Sequence, residues 1–112
     1  MSLDYIGRPR TRDTLVGFDR RELKIILEIY GRMVILGEWR DYAIDHLTGR
    51  AVFSIFRRSS EHPIYRIEKC PRDQIRQGAY SVVGMDGRIL KRGRDLGQVL
   101  RVLERKLIRA VN

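Results

Sequence analysis

The side chains best suited to chemistry in this sequence are arginines near its end. Between residues 88 and 112 stand eight basic side chains, Arg88, Lys91, Arg92, Arg94, Arg101, Arg105, Lys106 and Arg109, against two acids, Asp95 and Glu104. Arg101, Arg105 and Arg109 are four apart, so on a helix they form one stripe. A guanidinium presents a planar fork of donors that matches phosphate or carboxylate. A stripe led by Lys91, Arg92 and Arg94 therefore has the layout to follow a phosphate backbone. The competing explanation is a solvated helix face whose cations favour the negative end of the helix dipole. A net charge of +9 points to a polyanionic partner: nucleic acid, a ribonucleoprotein or an acidic protein. Nineteen of the 23 basic residues are arginine, a bias that a GC-rich coding sequence would also produce.

Other candidates carry less. Strand alternation places Trp39, Phe56 and Arg58 on the sheet face away from the expected core, where aromatics beside arginine can stack single-stranded bases. Asp41 and Asp45 share that face and would repel phosphate, and burial of the two rings in the core or against a second subunit is the competing outcome. Gly7-Arg8-Pro9, extended by Arg10, matches the centre of a short minor-groove hook but has Ile6 where such a hook carries arginine. The sequence shows no catalytic signature. His46 follows Asp45 directly, and neighbours on a strand point to opposite faces, so the carboxylate is poorly placed to orient the ring. His62-Pro63 reads as a turn. Cys70 has no second cysteine for a disulfide or a thiolate metal site, and no metal or cofactor is expected. Gly84, Gly87, Gly93 and Gly97 do not form a strand-to-helix phosphate cradle.

The elements that must position these residues follow from periodicity. Residues 1–16, with Arg8, Arg10 and Arg12, read as a flexible basic arm, and 17–112 as one domain. Asp19 followed by Glu22 has capping-box spacing, with Phe18 and Leu23 placed for a hydrophobic staple. The helix so begun runs to Gly37, with Leu23, Ile26, Leu27, Tyr30 and Val34 expected on its core face. Ile25, Ile29, Met33 and Leu36 broaden that face beyond what one sheet needs, so the surplus could pack on the second helix or on another subunit, as in a homodimer. Strands are expected over Trp39–Leu47 and Arg50–Arg58 around a Thr48-Gly49 turn, pairing Ile44 with Phe53 and Tyr42 with Ile55. A third strand, Ile64–Lys69, follows the breaker stretch Ser59–Pro63. A second hairpin, Ala79–Met85 with Arg88–Gly93, closes on Asp86-Gly87. The last helix starts at Asp95 with Gln98 at the capping-box position and buries Leu96, Val99, Leu100, Leu103 and Leu107. The expected fold is α+β: N-terminal helix, five-stranded antiparallel meander, C-terminal helix, both helices on the sheet face bearing Tyr42, Ile44, Phe53 and Ile55.

The segments Tyr30-Gly31-Arg32-Met33, Gly37-Glu38-Trp39-Arg40-Asp41-Tyr42, Tyr65-Arg66-Ile67-Glu68-Lys69 and Gln77-Gly78-Ala79-Tyr80-Ser81-Val82-Val83 resemble an uncharacterised family of short bacterial proteins, a domain of unknown function. The resemblance covers most of Phe18 to Leu107 and implies a bacterial source and a single domain. It supplies no activity, cofactor or site residue. At 112 residues, with 43% hydrophobic and 33% charged side chains, the composition is that of one folded soluble domain. No apolar run approaches the ~20 residues of a membrane span, and the start lacks a signal-peptide layout. A cytoplasmic, non-enzymatic binding module for nucleic acid is the leading expectation. The rival is an assembly factor using the apolar face of the first helix with Trp39 and Phe56.

Overall fold

The computed structural model describes residues 14–58 and 62–105. Helix α1 spans Arg20–Ile35, followed by β1 (Asp41–Leu47), β2 (Arg50–Phe56), β3 (Tyr65–Lys69), a single 3-10 turn at Pro71–Asp73, β4 (Tyr80–Gly84), β5 (Ile89–Gly93) and the short helix α2 (Leu96–Val99). The strands form one antiparallel sheet in the order β1-β2-β3-β4-β5, so the α+β meander is as expected. Helical turns resume over residues 101–105 after a break at Leu100. The Arg8–Arg12 part of the arm and Arg109 lie outside the described residues. Residues 14–16, read from sequence as the end of the arm, pair with the first hairpin: Val16 N–H donates to the Leu47 carbonyl at 3.0 Å, and Gly49 N–H to that of Thr14 at 3.3 Å.

Both helices pack on one sheet face. Ile26, Ile29 and Met33 of α1 and Leu96, Val99, Leu100 and Leu103 share a core with Phe53, Ile55, Ile67 and Val82. Each fully buried branched or aromatic side chain here stabilises the fold by about 1.5–3 kcal/mol before ordering entropy is deducted. The first hairpin has the expected register, Tyr42 opposite Ile55 and Ile44 opposite Phe53. The second departs from expectation. Gly84 N–H donates to the Arg88 carbonyl at 2.8 Å and Gly87 N–H to that of Gly84 at 3.0 Å, so the loop is Met85-Asp86-Gly87, three residues with Gly87 at φ +87°. This is the turn-plus-bulge loop rather than the two-residue one, and Asp86 secures it by accepting the Arg88 N–H at 3.0 Å.

Helix α1 begins as expected: Asp19 accepts the Glu22 N–H and Glu22 accepts the Asp19 N–H, each at 2.8 Å. Its rotation differs. The buried line is Glu22, Ile26, Ile29 and Met33, while Leu27 and Val34, expected in the core, are 39% and 40% exposed. The cause is Glu22, which is 2% exposed and held from the sheet by Lys69 and Tyr80. Anchoring the first turn there carries the line four and seven residues further on inward with it.

Trp39 is also corrected. The strand starts at Asp41, so alternation does not govern position 39. Helix α1 ends in a paired closure, Gly37 N–H donating to the Val34 carbonyl and Glu38 N–H to that of Met33, both at 2.9 Å. Gly37 supplies the left-handed residue this closure needs, at φ +78°. The turn delivers Trp39 into the core at 3% exposure, its ring 5.9 Å from Tyr30 and 6.1 Å from Tyr65. Phe56, by contrast, lies on the other sheet face opposite Asp41 and is half-buried.

Candidate nucleic-acid interface

The chain from β5 into α2 builds the basic corner. Gly93 ends the strand and Asp95 caps α2 by accepting the Gln98 N–H at 3.1 Å. Leu96, Val99, Leu100 and Leu103 are buried, which turns Arg101 and Arg105 outward on the opposite side. Lys91, opposite Val82, is exposed on the side of the edge strand that carries the helices. Arg92, opposite Ser81, is half-buried on the other face and so does not join this corner. Both acids of the region are already engaged, Asp95 in the cap and Glu104 with Arg32 at 3.4 Å. Among the described residues, Lys91, Arg101 and Arg105 have no ion pair or side-chain hydrogen bond, leaving a local cationic surface on the helix side of the sheet.

Arg94 differs from its neighbours. Its guanidinium donates to the Gln74 carbonyl at 2.9 Å and to that of Ile75, while the Gln74 amide returns a bond to the Arg94 carbonyl at 3.1 Å. It fastens the loop after β3 to the start of α2, with two of its N–H groups held by backbone carbonyls. No sequence signal marks this role, because backbone carbonyls are acceptors at every position.

Of the residues read as an open-face platform, Trp39 is in the core and Arg58 is exposed beyond β2. The aromatic rings instead gather under α1: Tyr42 stacks on Phe53 at 4.9 Å, and Tyr30 meets Tyr42 edge-on at 5.0 Å. The other sheet face carries Arg50 and Arg66 on the two oxygens of Glu68, at 3.2 and 3.1 Å. That shared carboxylate lowers the face's attraction for phosphate.

Among the described residues, neither histidine nor the cysteine is set in a cleft beside a group that would activate it. His46 and His62 are both exposed. Burial and the Asp73 carboxylate push the Cys70 thiol up, the opposite of activation. Among the described residues, no three His, Cys, Asp or Glu side chains could hold a metal ion, and no helix is long and apolar enough to cross a membrane.

Among the described residues a buried polar cluster forms around Glu22, and no sequence spacing signals it. Glu22 accepts from Lys69 Nζ at 2.8 Å and from the Tyr80 hydroxyl, and Lys69 also donates to the Gly17 carbonyl at 2.9 Å. Burial and the Glu22 carboxylate push the Tyr80 phenol well above its ordinary 10.0. The folded state thus holds this proton more tightly than the unfolded chain. Its contribution is complete below about pH 10 and lost as pH rises beyond that. Wild-type stability should fall above about pH 10, and the fall should be shallower in Tyr80→Phe, read by urea unfolding from about pH 8 to 11. Tyr30 and Tyr65, also raised by burial, account for the slope that remains.

No curated protein and no solved structure matches this chain. A family described as "Protein of unknown function (DUF2794)" matches residues 16–100, from the segment that pairs with the first hairpin to the end of α2. With that match running through the sheet, both helices and the polar cluster, the chain belongs to the DUF2794 family of proteins of unknown function.

Proposed function

We propose that the protein binds nucleic acid, free or within a ribonucleoprotein, through the basic corner formed by Lys91, Arg101 and Arg105, without catalysing a reaction. The observation that carries this reading is the engagement of both local acids elsewhere, Asp95 in a helix cap and Glu104 on Arg32, which leaves Lys91, Arg101 and Arg105 without an ion pair among the described residues. Contacts of this kind fall on phosphates, so affinity is strongly salt-dependent and sequence preference slight. Arg109 extends the same four-residue spacing in sequence but lies outside the described residues.

Fluorescence anisotropy with labelled single- and double-stranded DNA and RNA, across a salt series, tests it. Arg101→Ala and Arg105→Ala should each weaken binding evenly across sequences and lower the salt slope by about one contact. Arg94→Ala should lower that slope less than either, because two of its N–H groups hold it against the loop after β3. Binding confined to low salt, or slopes unaltered in both variants, would refute nucleic-acid binding. That result would favour an acidic protein partner or the apolar flank of α1 and β1, where Leu27, Val34, Tyr42 and Ile44 are 37–41% exposed.

A further inference from the structure

We infer that the cleft between the end of α1 and the end of β2 is an anion site for a ligand carrying two linked phosphates. The cleft is about 420 Å³ and is lined by Val34, Gly37, Trp39, Arg40, Arg57 and Arg58. That volume lies in the range of small-molecule sites. Arg40 N–H donates to the Phe56 carbonyl at 2.9 Å, which sets Arg40 alongside the two arginines that leave β2. Three arginines thus line one concavity, and none of its described lining residues carries a carboxylate.

None of the three side chains has a hydrogen bond or ion pair among the described residues. Cations near the end of a helix ordinarily serve its unsatisfied carbonyls. Here that need is met by the chain itself: Leu36, Gly37 and Glu38 N–H groups donate to the carbonyls of Arg32, Val34 and Met33. Among the described residues the three arginines therefore keep their charge without an ion-pair partner, a state that a bound anion relieves.

The ligand's chemistry follows from what the cleft offers. Trp39 is 3% exposed, so its ring face is not available for a base to stack on, and recognition falls to the arginines. One phosphate carries about −1.5 to −2 charge near neutral pH, short of three guanidiniums, whereas two linked phosphates match them. The group has two natural sources, a free pyrophosphate-bearing small molecule or a diphosphate at a nucleic-acid 5′ end.

Trp39 is the chain's single tryptophan and reports on the cleft directly. Inorganic pyrophosphate titrated at near-physiological salt should change its emission saturably, with the same Kd in wild type and in the Arg101→Ala/Arg105→Ala protein. That equality separates this site from the basic corner. Arg40→Gln, Arg57→Gln and Arg58→Gln should each raise Kd about tenfold, circular dichroism confirming that each folds. An oligonucleotide bearing a 5′ diphosphate assigns the source: affinity equal to or above that of pyrophosphate points to the nucleic-acid end, and weaker binding to a free small molecule. A non-saturating response, an equal response to sulfate, or unchanged Kd in all three glutamine variants would overturn the assignment.

Discussion

Lys69→Met should be among the most destabilising single substitutions in this protein, lowering unfolding free energy by about 3–5 kcal/mol. Glu22 is 2% exposed, and Lys69 Nζ, at 2.8 Å, is its cationic partner. Removing the ammonium leaves a carboxylate in the core with only the Asp19 N–H and the Tyr80 hydroxyl as donors. Domains of this size are stable by roughly 5–15 kcal/mol in total, so the variant should unfold at much lower urea or fail to accumulate. The double variant Glu22→Gln/Lys69→Met supplies the control. With both charges gone, the amide oxygen can still accept the Asp19 N–H while the amide NH2 donates to the Tyr80 phenol oxygen, and much of the loss should be recovered. Urea melts of the two proteins decide the matter. A Lys69→Met midpoint close to wild type would mean that water or side-chain movement satisfies Glu22.

Gly78→Ala should be comparably severe for an unrelated reason. A Cβ at this position would stand 2.2 Å from the Gly93 carbonyl carbon and 2.3 Å from its oxygen, and Gly78 has φ +98°. Both the clash and the dihedral fall on backbone, so no rotamer change relieves them. The contact joins the loop before β4 to the end of β5, and forcing it apart would also disturb Val99, which already approaches Gly93. A loss of about 4 kcal/mol or more is expected, in the range that only backbone strain and core disruption reach. Thermal unfolding of Gly78→Ala beside Gly31→Ala, a helical glycine with open space around it, gives the comparison. The latter should be unchanged or slightly more stable.

What sequence reasoning recovered is what short-range periodicity encodes. Alternation across Thr48-Gly49 yielded the observed register of the first hairpin, and Asp19 with Glu22 marked the start of α1. Misplacements arose where distant partners or a turn overrode the local pattern. Glu22 reads as a solvated cap residue until Lys69 and Tyr80, 47 and 58 positions away, are brought to it. Its burial rotated the helix and left Leu27 and Val34 outside. Trp39 was assigned to a strand because the closure after α1, set by Gly37, is invisible to alternation. Of the basic corner, the outward placement of Arg101 and Arg105 follows from the Leu96, Val99 and Leu103 stripe. The engagement of Asp95, Glu104 and Arg94 depends on tertiary contacts. The cleft of Arg40, Arg57 and Arg58 likewise joins residues that are remote along the chain.

Lys69 and Tyr80 face each other directly across β3 and β4. Hydrophobic alternation has period two, so sliding β3 along β4 by two residues would keep Ile67 and Val82 on the core side. On apolar pattern alone, those alignments are nearly degenerate. Only one of them sets the ammonium and the phenol together beneath Glu22. A slipped sheet would leave a buried carboxylate short of a partner, a penalty that no rearrangement of aliphatic side chains removes. The polar joint that anchors the helix is thus also a gauge for the sheet: it distinguishes one strand alignment from its hydrophobic look-alikes.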